Sequence, residues 1–178
     1  VPFINGCDST YHPCQILADA LTLLEKFGTL NVKFLYIGAK NNVFNSLVEF
    51  FAKMECGTLY GLTPLVNDTA VESDFYEKGK ASGYYVELDP TMSMEEAKKY
   101  VKDMDVLYTD TWVDMEFFNN PDYAEKKKKT LKSPTSSLTY CPNTSVPSAR
   151  VAVVPVSMPS ARVAEEENAT RSLKKLFA

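Results

Sequence analysis

With one histidine, one tryptophan, seven glycines and four cysteines in 178 residues, several chemistries lack the residues they need. The cysteines, Cys7, Cys14, Cys56 and Cys141, form no C-x-x-C pair, and a lone histidine, His12, cannot complete a zinc site with them. No metal and no cofactor is expected. The thiols read as reduced, mostly packing residues. Glycine is too sparse for a dinucleotide fingerprint or a phosphate loop: residues 38–46 contain one. Positive charge is not in excess. The net charge is −4 and the pI about 5.1, which argues against a nucleic-acid partner. The one basic run, Lys126 to Lys129, follows Glu125 on a predicted helix and reads as a solvated face. No apolar run is long enough to span a bilayer and no secretory pattern is read at the N-terminus, so no membrane partner and a cytoplasmic location are expected. The sequons at Asn67, Asn143 and Asn168 are then accidental.

What is present suits a packed core. Hydrophobic residues make up 45% of the chain, with ten Tyr and ten Phe, enough for a single α/β domain over 1–178. Pro13 opens a helix whose apolar positions are Ile16, Leu17, Ala20, Leu21, Leu24 and Phe27, and Gly28 stops it. Short apolar runs at 32–37, 58–63, 84–88, 106–109 and 150–156 read as strands, with a turn at 38–42 after the first. Helices are expected at 43–54, with Leu47, Val48, Phe51 and Met54 inward, at 72–82, after an N-cap at Ser93, at 121–131 and at 165–177. Residues 132–149 read as a loop, and Pro-Ser-Ala-Arg-Val-Ala occurs at 147–152 and again at 159–164. The alternation predicts a doubly wound parallel sheet of about five strands with helices on both faces, whose ligands bind at the carboxyl ends of the strands.

Three segments reach that edge. His12 stands at a helix N-terminus with Gln15 one turn in, where free N–H groups favour an anion or a polarised carbonyl oxygen; the alternative is that His12 only caps the helix. Asn41, Asn42 and Asn45 follow the first strand, as directional ligand contacts or as turn and capping residues. Asp110 and Asp114 flank the only tryptophan, Trp112, after the fourth strand. Carboxylates there suit an amine ligand or cap a helix.

Taken together, Val1-Pro-Phe-Ile-Asn-Gly6 with Tyr11-His12-Pro13-Cys14-Gln15-Ile16-Leu17-Ala18-Asp19, then Tyr36-Ile37-Gly38 with Asn41-Asn42-Val43 and Asn45-Ser46, then Asp105 to Trp112, resemble the transcarbamylase family over residues 1 to about 130. The Asp-x-Trp segment resembles the ornithine branch. The resemblance implies carbamoyl transfer from carbamoyl phosphate to ornithine, giving citrulline in arginine metabolism, by direct attack of the amine and a tetrahedral oxyanion. It places His12 on the carbamoyl oxygen and Gln15 on the carbamoyl amide. Asn42 and Asp110 would hold the ornithine α-carboxylate and α-amine, with Met115 nearby. Ser157 and Met158 align with the family's His-Cys-Leu-Pro loop. It further implies a homotrimer, in the cytoplasm or the mitochondrial matrix.

Departures accompany it. The family's phosphate-gripping Ser-x-Arg-Thr segment belongs to an N-terminal domain absent here, so the isolated chain is expected to be inactive. Asp114 stands where ornithine-type enzymes carry Ser, and its charge would repel an α-carboxylate, suiting a diamine such as putrescine. Ala169 stands where a phosphate-binding Arg is expected. The competing readings are an amino-acid-binding half of an enzyme and a non-catalytic binding or regulatory module. A missing domain predicts exposed apolar residues at Ile16, Leu23, Leu173 and Leu176.

Overall fold

The computed structural model describes residues 1–67, 73–110, 125 and 151–153. After an extended entry come α1 (Pro13–Phe27), β1 (Lys33–Lys40), α2 (Asn42–Met54), β2 (Thr58–Val66), α3 (Ser73–Ala81), β3 (Tyr85–Glu87), α4 (Met94–Asp103), β4 (Val106–Thr109) and β5 (Val151–Val153). The strands form one sheet in the order β3-β2-β1-β4-β5, every neighbouring pair parallel. This is the expected doubly wound α/β sheet. The predicted helices at 121–131 and 165–177, the loop at 132–149 and most of the Pro-Ser-Ala-Arg-Val-Ala repeat lie outside the described residues.

Successive side chains of a strand point to opposite faces, and β1 uses both. Phe34 and Tyr36 join Phe44, Leu47, Val48, Phe51, Tyr85 and Tyr108 in a core with residues of α1, α2 and α3. Leu35 and Ile37 face the other way, into Leu62, Leu88, Ala97, Val101 and Met104 with α4. Helices on both faces explain why β1 is buried from Phe34 to Ala39. Two close approaches exclude side chains: a Cβ on Gly61 would lie 2.6 Å from the Phe44 ring, and one on Gly79 would lie 2.5 Å from Val48.

Local signals end the helices where expected. Pro13 starts α1, and Gly28, in the left-handed region at φ 69°, returns its N–H to Leu24. Ser93 caps α4 in a reciprocal box with Glu96.

Four expectations need correction. The turn at 38–42 is mostly strand: β1 runs to Lys40 because β2 continues beside it, pairing Ala39 with Leu65 and Lys40 with Val66. Met54 is exposed, lying past the buried stripe of α2. Cys7 and Cys14 are exposed and Cys56 is half-buried, so none of the three is a core thiol. Ile16 and Leu23 are core residues, because the sheet itself covers that face of α1. The apolar residues that α1 leaves open are Leu17, Leu21 and Leu24, at 65%, 56% and 44% exposure. Leu173 and Leu176 lie outside the described residues.

Candidate functional site

In a doubly wound sheet the ligand crevice opens where neighbouring strands lead to connections on opposite sides. Here that switch point lies between β1 and β4, which pair from Phe34–Val106 to Ile37–Thr109. Asn41 and Asn42 follow β1, and Asp110 follows β4. Residues 69 apart in sequence thus meet: Asn41 Nδ2 donates to Asp110 Oδ2 at 3.1 Å. Asn41 is itself buried and held, for its Oδ1 caps α2 by accepting from Phe44 N at 3.1 Å. The Tyr36 hydroxyl, which donates to Ala39 O at 2.8 Å, reaches the same Asn41 oxygen at 3.5 Å. Asp110 is therefore aimed by Asn41. Its expected alternative role, capping a helix, would involve residues beyond 110 that are not described.

His12 occupies the N-cap position of α1, yet its side chain makes no capping bond, so the capping alternative fails for the imidazole. Its Nδ1 is buried and has no hydrogen-bond partner among the described residues. Its backbone N–H donates to Ser46 Oγ at 2.8 Å, and Ser46 Oγ donates on to Asn42 O at 3.0 Å. Through Ser46 the start of α1 is fixed to the first turn of α2.

Asn42 and Asn45 serve the entry segment. Asn42 Nδ2 donates to Asp8 O at 2.7 Å and Asn45 Nδ2 to Thr10 O at 2.8 Å. Asn45 Oδ1 also accepts from the Tyr76 hydroxyl. Asp8 folds this loop, accepting from Tyr11 N at 2.6 Å, Thr10 N at 2.7 Å and Asn5 Nδ2 at 2.8 Å. Those backbone donors hold the Asp8 carboxyl below its ordinary range. The asparagines thus play turn and anchoring roles, with Asn42 half-exposed beside the site.

One turn into α1, Gln15 Nε2 donates to Asp19 Oδ1 at 3.1 Å. Asp19 is 5% exposed, and its Oδ2 and the nearby Tyr108 hydroxyl are both buried with no geometrically formed hydrogen bond among the described residues. Burial raises the Asp19 carboxyl above its usual range. Gln15 and the nearby Tyr108 hydroxyl pull it down, Asp110 adds to the rise, and His12 opposes it. His12, Gln15, Asp19, Tyr108 and Asp110 therefore share one electrostatic neighbourhood. Sequence reasoning missed Asp19 and Tyr108 as members of it. The spacing Gln15-x-x-x-Asp19 on a predicted helix was the one available signal.

Beside the site, Glu87 pairs with Lys40 and, at 2.5 Å, with Lys80. Burial pushes the Glu87 carboxyl up, but the two ammonium groups outweigh it and hold it below its usual range. Lys40 also lies 4.6 Å from the centre of the Tyr76 ring. Among the described residues no group of three or more metal-ligating side chains occurs, and no helix is long and apolar enough to cross a membrane. Asp114, Met115, Ser157 and Met158 lie outside the described residues.

A family model of the aspartate/ornithine carbamoyltransferase Asp/Orn binding domain matches residues 30–140. The chain belongs to this carbamoyltransferase family. The ornithine carbamoyltransferase of Methanocorpusculum labreanum is 37% identical over 134 residues, covering 72% of this chain and 39% of that protein. The ornithine transcarbamylase of Gallus gallus, named as mitochondrial, is 35% identical over 138 residues, 75% of this chain and 35% of the relative. Among solved structures, the Pyrococcus furiosus ornithine carbamoyltransferase superposes with a TM-score of 0.64 at 27% identity, covering 99% of this chain and 57% of that one. The M. Jannaschii aspartate transcarbamoylase catalytic subunit shares the fold at a TM-score of 0.57 and 20% identity. The chain thus spans about two fifths of the length of the curated relatives it matches.

Proposed function

We propose that this chain is the amino-acid-binding half of an enzyme that transfers a carbamoyl group from carbamoyl phosphate to the side-chain amine of ornithine, giving citrulline and phosphate. The observation that carries the reading is the Asn41–Asp110 bond across the β1/β4 switch point. An aimed and held carboxylate at the ligand edge of the sheet, with Asn42 beside it, supports an acceptor amino acid bound there. The relatives named ornithine carbamoyltransferase support ornithine over aspartate as the acceptor.

In this reading Asp110 pairs with the ornithine α-amine and Asn42 with the α-carboxylate, which the Asn42 amide reaches by exchanging its bond to Asp8. Met115 lies nearby. By alignment, the charge of Asp114 would disfavour an α-carboxylate. The δ-amine attacks the carbamoyl carbon and forms the new C–N bond. The C–O bond to phosphate breaks, phosphate leaves with its electron pair, and the nitrogen loses a proton. Negative charge gathers on the carbamoyl oxygen, where His12 and the free N–H groups of α1 stabilise it. Gln15 holds the carbamoyl amide. By alignment with the family's His-Cys-Leu-Pro loop, Ser157 and Met158 would contribute to substrate binding. The residues gripping the phosphate lie outside these 178, so turnover requires the chain joined to them, as a homotrimer in the cytoplasm or the mitochondrial matrix.

Calorimetric titration with ornithine, putrescine and carbamoyl phosphate tests the reading. Ornithine binding that weakens about tenfold or more in Asp110→Asn is expected for a lost charge-assisted pair. Preferential putrescine binding would shift the acceptor to a diamine, through Asp114. Binding of none of the three would leave a non-catalytic module of the same fold.

A further inference from the structure

Gln15 Nε2 points at a carboxylate oxygen that is almost wholly buried. An ionised carboxylate offers only acceptors, so the end of the Gln15 amide that faces Asp19 must be the nitrogen. The oxygen, Gln15 Oε1, is then the end left over, and it accepts no hydrogen bond among the described residues. A Gln–Asp pair one turn apart is ordinary on a wet helix surface. This one is not wet. Asp19 stands in the core beside the Tyr108 hydroxyl, within electrostatic reach of Asp110 and His12. Burying a carboxylate with one oxygen unfilled is costly, and helix stability alone would favour an aliphatic side chain there.

Resting on the function proposed above, we infer that Asp19 is a positioning residue that fixes which end of the Gln15 amide faces the reacting group. It thereby selects a carbamoyl –NH2 over an acetyl methyl. Held with its oxygen outward, Gln15 accepts a hydrogen bond from the carbamoyl nitrogen. The methyl of acetyl phosphate has the same shape and no donor, so it leaves that oxygen unpaired. A site built to hydrogen-bond one group rejects the analogue that lacks it far better than it rejects a change of size. With Gln15 half-buried, a preference for carbamoyl phosphate of about tenfold or more is expected.

The test uses the 178-residue chain. Titrations with carbamoyl phosphate and acetyl phosphate give the ratio of their dissociation constants for the wild type, Gln15→Ala, Asp19→Leu and the double variant. The ratio should fall towards one in each single variant and fall no further in the double, because Asp19 acts only through Gln15. Equal weakening of both phosphates by Asp19→Leu would mean a merely structural carboxylate and would overturn the inference. Should Asp19→Leu fail to fold, Asp19→Asn keeps the shape while adding a donor, which lets the Gln15 amide turn over, and the ratio should fall part-way. In parallel, the Gln15 side-chain amide is followed by 15N NMR. One of its two protons should be shifted and slow to exchange in the wild type, and lose both properties in the Asp19 variants. Unchanged Gln15 signals would sink the inference regardless of ligand. A wild type that binds neither phosphate but shows the Gln15 response would keep Asp19's hold on the amide, overturn the selectivity claimed for it in this chain, and leave the amino-acid-binding reading to the ornithine titration.

Discussion

The two faces of the sheet are built from different materials. On the face shared by α1, α2 and α3 the core is aromatic, with Phe34, Tyr36, Phe44, Phe51, Tyr76, Tyr85 and Tyr108. Ring pairs such as Tyr36–Phe44 at 4.7 Å and Tyr36–Tyr108 at 5.7 Å knit it together. On the α4 face the core is aliphatic: Leu35, Ile37, Leu62, Leu88, Val101 and Met104. The polar groups of the site lie on the aromatic side. Tyrosine combines apolar bulk with a hydroxyl, so it fills a core while delivering a polar atom to the sheet edge. Tyr36 does so for Asn41, Tyr76 for Asn45 and Tyr108 beside Asp19. One face supports, and the other supports and aims.

If the faces differ in this way, substitutions should separate stability from ligand binding. The largest stability loss is expected from Leu62→Ala on the aliphatic side, about 2–5 kcal/mol for a buried leucine. Denaturant unfolding would record it, while ornithine affinity under native conditions stays near wild type. Next is Gly61→Ala, whose methyl meets the Phe44 ring at 2.6 Å. It should cost about 1–3 kcal/mol and, unlike Leu62→Ala, also disturb binding, because Phe44 N is the donor that Asn41 caps. Tyr36→Phe removes one hydroxyl and should cost about 1 kcal/mol. Its effect on ornithine affinity should exceed its effect on stability, since it loosens the residue that aims Asp110; an effect on stability alone would erase the contrast between the faces.

The smallest expected effect is one of pH. The Asp19 carboxyl is raised in the folded protein, so the folded state holds that proton more tightly than the unfolded chain does. Its contribution to stability is fully present below the unfolded value, near 3.8, and is lost as pH rises through the higher folded value. Asp19→Asn has no such proton. Its melting temperature relative to wild type should therefore rise between acid and neutral pH, and a difference independent of pH would contradict the raised carboxyl.

Much of this was legible in the residues. Pro13 and Gly28 bracket α1, Ser93 caps α4, and Val106–Thr109 is a strand as read. These signals are local, carried by one or two residues whose backbone preferences do not depend on distant contacts. Strand ends were read less well. β1 extends to Lys40 because a neighbour pairs with it, and that neighbour is not adjacent in sequence. The site divides along the same line. His12, Gln15, Asn42 and Asp110 stood out by type and motif. Asn41 was one of three asparagines open to either a ligand or a turn role, and Asp19 appeared only as the end of the motif that begins at Tyr11. The cysteines misled because a small apolar side chain is usually buried, yet Cys7 and Cys14 lie on the exposed entry segment and the first turn of α1.

The sequence by itself determined the alternation of strands and helices, their caps, and the family, because each rests on periodicity, backbone preference or motif within short windows. Only the tertiary structure decided that β1 and β4 are neighbours. That pairing sets Asn41 against Asp110 and turns residues of separate segments into one site. It also buries Asp19 beneath Gln15, because the face that α1 presents to the sheet is chosen by packing and not by the helix alone.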